Sequence, residues 1–310
     1  MAIIDSSPRI ETSDGQIFKE SASSFYFASY WLNNDDFNAI ANLYALCRKV
    51  DNIADGDFVP EKAYKQLESI QTALTDGDKS NTTVNDFFAI QPLINPAFFD
   101  QLITGAKRDT QGVSIRNERD LIRYCFRVAG SVGLMICDVL GVRDYQATAC
   151  AIDLGIAMQL TNIARDISED AELGRRYLPE TWVGDLKPPE ILKPTAQQKF
   201  LIKKAVLKLL QEADKRYISG FRGLPFLKPR VRFVVLLAGR VYRRIGIKIR
   251  RRNCDIWSGR VYTGPVEKLY ELVIALIVFF FDRRIRCYTG IHELDLHRDL
   301  DGLLGPYQEK

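Results

Sequence analysis

Histidine is almost absent from this sequence: only His292 and His297 occur among 310 residues. Mechanisms of the Ser-His-Asp or Cys-His type use a histidine as the base, so this scarcity argues against them. The two histidines lie in HELDLH, where their spacing is one residue too long for the HExxH zinc helix. We therefore expect neither a histidine-based hydrolase nor a zinc site of that kind.

Paired cysteines, a signal peptide and a membrane-spanning run are also missing. The six cysteines are scattered without a CxxC pair, which predicts reduced, mostly buried thiols in a cytosolic protein. The N-terminal MAIIDSSPRI has no basic region followed by an apolar run, so we predict no signal peptide. The apolar stretch LYELVIALIVFFF is 13 residues long and includes Glu271. It is too short to cross a bilayer and predicts a core helix.

The sequence also lacks a strong charge imbalance. Its net charge is only +4, and no recognisable DNA-reading module accompanies the basic run RVYRRIGIKIRRR, so we expect no nucleic-acid partner. Hydrophobic residues make up 46% of the chain and charged residues 26%. This composition excludes a mostly disordered chain and permits a sizeable core.

Helical periodicity is what the sequence does show. Apolar residues recur at three- and four-residue spacing over residues 37–56, 120–141, 144–174, 195–221, 229–252 and 265–286. No alternating strand or Asn-Gly hairpin interrupts them. We predict a single all-α domain over residues 1–310, built as a helical bundle, with residues 1–18 as a loosely ordered N-terminal arm.

Two of these helical segments carry a pair of acids one turn apart. The pairs are Asp51 with Asp55, and Asp166 with Asp170. Asn162 extends the second pair by a turn, and Gln159 is offset from it by three residues. Carboxylates so placed give oxygens to hard cations, and two facing helices can hold Mg²⁺ ions that accept diphosphate oxygens as further ligands. A single acidic pair more often belongs to a solvent-exposed helix face. Two acidic pairs on separate apolar helices favour a metal–diphosphate site.

An arginine accompanies each acidic pair. Arg48 lies three residues before Asp51, and Arg165 directly precedes Asp166. Guanidinium groups bind phosphate oxygens in a bidentate manner, so these two are candidates for holding a diphosphate. Metal ions and arginines together would stabilise a departing pyrophosphate and leave a carbocation, which suits the ionisation of an allylic diphosphate.

The acidic segments resemble a known family. LYALCRKVDNIADG and GIAMQLTNIARDISEDAELGRRYLP are similar to the two acidic signatures of the squalene/phytoene synthase family. YCFRVAGSVGLM resembles the central helix of that family, and SSFYFAS its N-terminal Ser-Phe segment. These matches cover most of residues 20–180 in family order. Their residues are more similar to those of bacterial phytoene synthases than to those of squalene synthases. After residue 185 the resemblance is loose.

The resemblance implies a fold and a reaction. The fold is the all-α isoprenoid synthase fold around a central cavity. The reaction is the head-to-head (1′-1) joining of two geranylgeranyl diphosphates to 15-cis-phytoene through a cyclopropylcarbinyl diphosphate, in carotenoid biosynthesis. The alternative within the family uses C15 farnesyl diphosphate and gives presqualene diphosphate, dehydrosqualene or squalene. A non-catalytic scaffold member is an alternative of another class, which would predict eroded acidic pairs.

The resemblance also assigns roles to individual residues. Metal ligands would be Asp51, Asp55, Asn162, Asp166 and Asp170, with Mg²⁺ or Mn²⁺ as the ion. Residues in contact with substrate would be Ser24, Phe25, Arg48, Tyr124, Gln159, Asn162, Arg165 and Tyr242. The catalytic residues would be Tyr124, Arg48, Arg165, Asp51 and Asp166. We expect no NADPH, because no Gly-rich strand–turn–helix motif for that nucleotide is present.

Some of these residues have a simpler interpretation. Tyr124 would be an ordinary core tyrosine if the resemblance were set aside, and Phe25 would be ordinary packing. Gly130 and Gly133 serve either close helix packing or room for a prenyl chain. Asp109, in GAKRDTQG, is interpreted as a cap or loop acid, although members of the family it resembles often carry an acid near this position.

Location and partners follow from the lipid-soluble substrate and product. We predict a cytoplasmic protein, peripherally attached to the inner face of the membrane through its basic, apolar C-terminal region. The simpler interpretation of the basic run is a solvated helix face. A downstream pathway enzyme that takes the product is a further candidate partner.

Overall fold

A computed structural model describes residues 23–56, 59–90, 94–288 and 290–303 of the chain. The predicted N-terminal arm, residues 1–18, lies outside these ranges, and so does the side chain of Ser24.

The described ranges contain thirteen α-helices. They are α1 (Ser23–Ser29), α2 (Asn34–Asp55), α3 (Pro60–Asp76), α4 (Thr82–Ile90), α5 (Pro96–Asp109), α6 (Glu118–Cys125), α7 (Ser131–Val139), α8 (Tyr145–Glu172), α9 (Glu180–Val183), α10 (Pro188–Leu192), α11 (Ala196–Arg222), α12 (Pro229–Arg251) and α13 (Pro265–Phe281). Short 3₁₀ turns follow α11 and α13, and another covers Leu294–Leu300. Over the same ranges no residue belongs to a strand, apart from an isolated bridge between Ser114 and Arg176. The all-α prediction is confirmed.

Helix α8 is the longest element and is defined at both ends by local chemistry. The side chain of Asp144 accepts hydrogen bonds from the backbone N–H groups of Gln146 and Ala147, at 2.8 and 3.3 Å, and so caps its start. After its last turn Gly174 adopts a left-handed φ of 73°. The backbone N–H of Arg175 then donates to the carbonyl of Asp170 at 2.8 Å. This turn holds Arg175 against the acidic end of α8.

Helix α8 lies at the centre of the bundle. It packs most extensively on α11 and also contacts α7, α10 and α12. Its length and apolarity would suffice to cross a membrane, but most of it is buried inside the fold. Its buried apolar residues belong to the larger of two groups of core residues, and Phe221 of α11 contacts both groups. The acids of α8 are therefore carried by a core helix.

The segment from α6 to α7 follows one helical path, as predicted, but it contains a π-helical turn at Phe126–Gly130. Single π-turns inside α-helices are common at functional sites because they rotate one part of the helix relative to the other. This turn lies directly after Tyr124 and Cys125. A methyl group on Gly133 would lie 2.5 Å from the carbonyl oxygen of Ala151 in α8. Gly133 therefore serves close helix packing.

We expect Gly155→Ala to destabilise the protein by about 1–3 kcal/mol, because the added methyl group overpacks a helix contact. A Cβ atom at Gly155 would lie 2.3 Å from the carbonyl oxygen of Ala129, which is backbone and cannot swing away. Chemical denaturation measures this loss. Ala151→Ser is the control, because it also changes a small residue of α8 but leaves Gly155 in place. An unchanged midpoint for Gly155→Ala would contradict the close approach of α8 to the π-turn.

Candidate active site

The acidic end of α8 pairs Asp166 with two arginines. Arg165 donates from Nε and Nη2 to the two carboxylate oxygens of Asp166, at 2.7 and 2.5 Å. Arg260, from the loop before α13, also donates from Nε to Asp166 at 2.9 Å. Burial alone would lower the pKa of Arg165, but the hydrogen bond to Asp166 and the nearby Tyr242 raise it. Two cations thus converge on this one carboxylate.

One turn further along α8, Asp170 is surrounded by negative charge. Burial, followed by the charge of Asp166, raises the pKa of Asp170 to about 8, although Arg175 opposes the rise. Asp109 and Glu169 contribute in the same direction as Asp166. A carboxyl group that resists ionisation near neutral pH lacks sufficient positive charge around it. This position is therefore suited to a cation supplied from outside the chain.

The second acidic pair lies at the end of α2. Burial, followed by the charge of Asp55, raises the pKa of Asp51 to about 6, while Arg48 lowers it. Asp55 accepts a hydrogen bond from Nη1 of Arg175 at 2.7 Å. Arg175 also donates from Nη2 to the carbonyl oxygen of Ala54 at 3.2 Å. Arg175 thus links the end of α2 to the turn that follows α8.

Asp109 joins the two acidic pairs, and its interpretation as a cap or loop acid is wrong. It is the last residue of α5, and its carboxylate accepts hydrogen bonds from the hydroxyl groups of Tyr124 and Tyr177, at 3.0 and 2.8 Å. Burial raises the pKa of Asp109 to about 7 despite these bonds and the nearby Arg175, and Asp55 adds to the rise. Because Asp109 interacts electrostatically with both Asp55 and Asp170, the acids of α2 and α8 share one electrostatic environment.

Tyr124 is buried, as the simpler interpretation also expects, but its hydroxyl group is directed at the acidic site. Its ring packs against that of Tyr177, with centroids 4.9 Å apart. Burial and the adjacent Asp109 carboxylate raise the pKa of Tyr124 well above its ordinary value. The phenol therefore stays protonated and donates to Asp109.

A polar row continues along α8 toward α12 and α1. Nδ2 of Asn162 donates to Oε1 of Gln159 at 3.2 Å, and the hydroxyl group of Tyr242 donates to Oδ1 of Asn162 at 2.9 Å. The ring of Phe25 lies 5.3 Å from that of Tyr242. The structure thus brings Gln159, Asn162, Tyr242 and Phe25 together beside the Arg165–Asp166 pair. Ser24, predicted beside Phe25, lies outside the described side chains.

The sequence profile of the family described as squalene/phytoene synthase matches residues 18–267. The chain belongs to the squalene/phytoene synthase family. The match extends well past the residues 20–180 on which the resemblance rested. The family joins prenyl diphosphates head to head, and this chain is a prenyltransferase of that class.

Named relatives and a solved structure agree with this assignment. The 15-cis-phytoene synthase of Enterobacter agglomerans is 33% identical over 269 residues, which cover 82% of this chain and 90% of the relative. The 15-cis-phytoene synthase of Pantoea ananas is also 33% identical, covering 82% and 87%. The crystal structure of a dehydrosqualene synthase in complex with a ligand superposes with a TM-score of 0.72 at 27% identity, covering 84% of this chain and 93% of that one. The isoprenoid synthase fold is thereby confirmed.

Sequence reasoning missed four residues of this synthase site: Asp109, Arg175, Tyr177 and Arg260. Arg175 and Tyr177 lie within GRRYLP, directly after the second acidic signature, so the motif itself carried a signal for them. Asp109 and Arg260 lie far from both signatures in sequence and follow no helical spacing. Only the packing of α5 and of the loop before α13 reveals their position.

The two histidines take part in a separate buried cluster. His292 and His297 both contact Asp153 through Nε2, at 2.6 and 3.2 Å. Arg216 and Ser219 of α11 donate to the same carboxylate, at 2.9 and 2.6 Å. Burial alone would raise the pKa of Asp153, but its hydrogen bonds and Arg216 hold it well below the usual range. Since Arg216 already neutralises the carboxylate, the cluster fits an ion-pair network that fastens residues 292–297 to α8.

Proposed function

We propose that this protein condenses two geranylgeranyl diphosphates head to head to give 15-cis-phytoene and two pyrophosphates. The observation that carries the proposal is the convergence of two acidic helix ends, α2 and α8, with Arg165, Arg175 and Arg260. The choice of a C20 substrate is supported by relatives named 15-cis-phytoene synthase that are 33% identical over 82% of the chain.

The donor set fits Mg²⁺, with Mn²⁺ as the alternative. Asp51, Asp55, Asp166, Asp170 and the amide oxygen of Asn162 offer the oxygen ligands that hard divalent cations take. Burial, followed by a neighbouring carboxylate, raises the pKa values of Asp51 and Asp170 to about 6 and 8, so bound cations would stabilise the ionised forms that metal ligation needs. When bound there, the ions would neutralise diphosphate oxygens and favour the departure of pyrophosphate.

The residues of the chain have their own part in the proposed reaction. Arg48, Arg165 and Arg260 would bind diphosphate oxygens, with Arg165 and Arg260 releasing part of their contact with Asp166. Phe25 packs on Tyr242 and would exclude water from the carbocation, which water would otherwise capture. The Tyr124 hydroxyl group, held by Asp109, would direct its oxygen lone pair toward the reacting carbons.

Product analysis tests the proposal. Purified protein with Mg²⁺ and detergent receives labelled geranylgeranyl diphosphate or farnesyl diphosphate, each with and without NADPH, and products are identified by mass. We expect a C40 hydrocarbon from the C20 substrate without NADPH. A product from the C15 substrate alone would contradict the proposed chain length, and no product from either substrate would contradict the activity.

A C15 enzyme is the second candidate, favoured by the structural similarity to a dehydrosqualene synthase over 84% of this chain. Such an enzyme would give presqualene diphosphate, dehydrosqualene or squalene from farnesyl diphosphate. The scaffold alternative expects eroded acidic pairs, whereas all four aspartates are present with cationic partners nearby.

We expect Mg²⁺ to raise the melting temperature more at pH 8 than at pH 6. Folding raises the pKa values of Asp51, Asp109 and Asp170 to about 6, 7 and 8. Raised carboxyl pKa values favour the folded state at low pH, and that contribution is lost as pH rises through them. Bound cations offset this loss of stability only at pH values at which the carboxyl groups are ionised in the folded protein. Thermal unfolding with and without Mg²⁺ measures the effect; an equal shift at both pH values would contradict it.

We further propose that the protein is cytoplasmic and attaches peripherally to the inner face of the membrane. The proposal is supported by the lipid-soluble nature of the C40 product. A downstream enzyme that accepts this product directly is the corresponding candidate partner.

A further inference from the structure

Helix α13 exposes apolar side chains and buries an acidic one, whereas a surface helix usually does the opposite. Only Glu271 and Ala275 of its 17 residues are buried. Eight of its large apolar side chains are exposed, with exposed fractions between 38% and 81%: Val266, Leu269, Tyr270, Val273, Leu276, Ile277, Phe280 and Phe281. Their three- and four-residue spacing makes one continuous stripe along the helix. A soluble protein rarely leaves so large an apolar patch without a partner.

The acids of α13 face inward instead. Glu271 accepts from Nη2 of Arg240 at 2.8 Å and lies 3.7 Å from Nη1 of Arg244, both on α12. Glu267 accepts from Nζ of Lys248 at 2.7 Å. Two further members of the basic run are ion-paired, since Arg243 and Arg250 contact Asp214 of α11 at 2.7 and 2.5 Å. These residues of the basic run therefore connect helices, and interpreting it as a solvated face is wrong for them.

A second set of cations lies where the apolar stripe ends. Arg283, Arg284 and Arg286 follow α13 directly and are exposed. Asp282 pairs with Arg284 at 2.8 Å, which leaves an excess of positive charge in this segment. Tyr262, exposed at the opposite end, precedes α13. Apolar side chains bordered by arginines and a tyrosine match the layering of an anionic bilayer surface.

A series of aromatic rings links the stripe to α1, the helix that borders the candidate active site. Phe280 packs on Phe279, which packs on Phe233 of α12, with centroids 5.4 Å apart in each case. Phe233 lies 5.5 Å from Trp31, and Trp31 lies 5.8 Å from Phe27 of α1. Helix α1 also carries Phe25, which packs on Tyr242 beside Asn162. Aromatic packing thus connects the outer face of α13 with α1, which lies beside the site.

We propose that the outer face of α13 docks on an anionic lipid bilayer, with the helix lying flat in the headgroup region and its apolar stripe in the acyl boundary. We assign this surface to the release of a lipid-soluble product, and that assignment rests on the proposed function. A helix of 17 residues is about 26 Å long, and its inward ion pairs hold it on α12, so it docks without spanning.

A second copy of the chain fits this face less well. The stripe has a spacing that would suit a helix pair. However, Glu267 and Glu271 are the sole acids of α13, and both are bound to α12. The face therefore offers no acid to the arginines that a second copy would present. Anionic headgroups supply that charge.

Vesicle flotation of the full-length protein tests the proposal. The probes are phosphatidylcholine vesicles with about one phosphatidylglycerol in four lipids, and vesicles of phosphatidylcholine alone. The variant Ile277→Glu with Phe280→Glu alters the stripe. Its matched control, Phe200→Glu with Leu207→Glu, places the same charges on exposed apolar positions of α11. A second variant, Val266→Glu with Leu269→Glu, samples the other end of α13.

We expect wild type and control to float with the anionic vesicles and to bind the neutral ones more weakly. Both α13 variants should lose at least about tenfold in binding, with unchanged circular dichroism. Wild type that does not float, or an α13 variant that floats like wild type, would overturn the proposal. So would a dimer, measured by light scattering, that the α13 variants dissociate while vesicle binding is absent. Product formation in detergent is measured separately, so a failure of the proposed function is recognised independently.

Discussion

Asp166→Asn is expected to lower turnover by at least about 10³-fold while leaving the helical circular dichroism unchanged. Asp166 is the carboxylate on which Arg165 and Arg260 both converge, at 2.7 and 2.9 Å. An amide keeps the size of the side chain but removes the charge that would bind a metal ion and position both arginines. Single-turnover measurement of pyrophosphate release, with saturating Mg²⁺, reports the loss at the ionisation step.

Glu172→Gln is the matched control for this substitution. It removes one negative charge from the same helix, at an exposed position outside the described cluster of contacts. We expect turnover within about twofold of wild type, because exposed charges are screened by solvent. Near-normal turnover for Asp166→Asn would contradict the metal–diphosphate assignment, and an equal loss for both variants would point to net charge alone.

Asp153→Ala is expected to cost about 3–5 kcal/mol of unfolding free energy, which is the range for leaving a buried charge without its partner. Asp153 is fully buried and accepts from Arg216, Ser219, His292 and His297. Its removal leaves the buried Arg216 guanidinium with only the longer contact to Glu212, at 3.5 Å, and leaves both imidazoles without the acceptor of their hydrogen bonds. Urea denaturation followed by circular dichroism measures the loss.

The control is Asp144→Ala, at the start of the same helix. Asp144 caps α8 through two backbone N–H groups, so its loss should cost only about 1 kcal/mol. The pH dependence is a second check. Because the folded pKa of Asp153 lies below its unfolded value of about 3.9, its contribution is present above that value and is lost only as pH falls further. The advantage of wild type over Asp153→Ala should therefore persist at pH 5. Equal stability of the two alanine variants would contradict the network.

The sequence predicted the helices and the acidic pairs because both depend on short-range spacing. Asp51 and Asp55 are one turn apart on α2 whatever surrounds them, and α8 stops two residues before Gly174 because glycine accepts the left-handed φ of the turn that follows. The π-turn after Tyr124 was not predicted, and neither was the close approach of Gly155 to the backbone carbonyl of Ala129 within that turn. Such contacts leave no periodic signal.

The sequence also carried no signal for the distant residues that contact the site and the basic run. Asp109 meets Tyr124 only because α5 packs against the π-turn that follows α6, and Arg260 reaches Asp166 across 94 residues of chain. In the basic run, charge density suggested a free surface, whereas Arg240 and Lys248 are bound to the acids of α13. Composition reveals how many charges a segment carries, but tertiary packing decides which of them are neutralised.

Metal-dependent binding of an unreactive substrate analogue tests the central claim most directly. The analogue is geranylgeranyl diphosphate in which sulfur replaces the oxygen between carbon and phosphorus, so that it binds without ionising. Calorimetric titration should show binding that requires Mg²⁺, is displaced by pyrophosphate and is lost in Asp51→Asn and Asp166→Asn. Equal binding with and without Mg²⁺, or undiminished binding by both variants, would contradict a diphosphate site built on the acidic ends of α2 and α8.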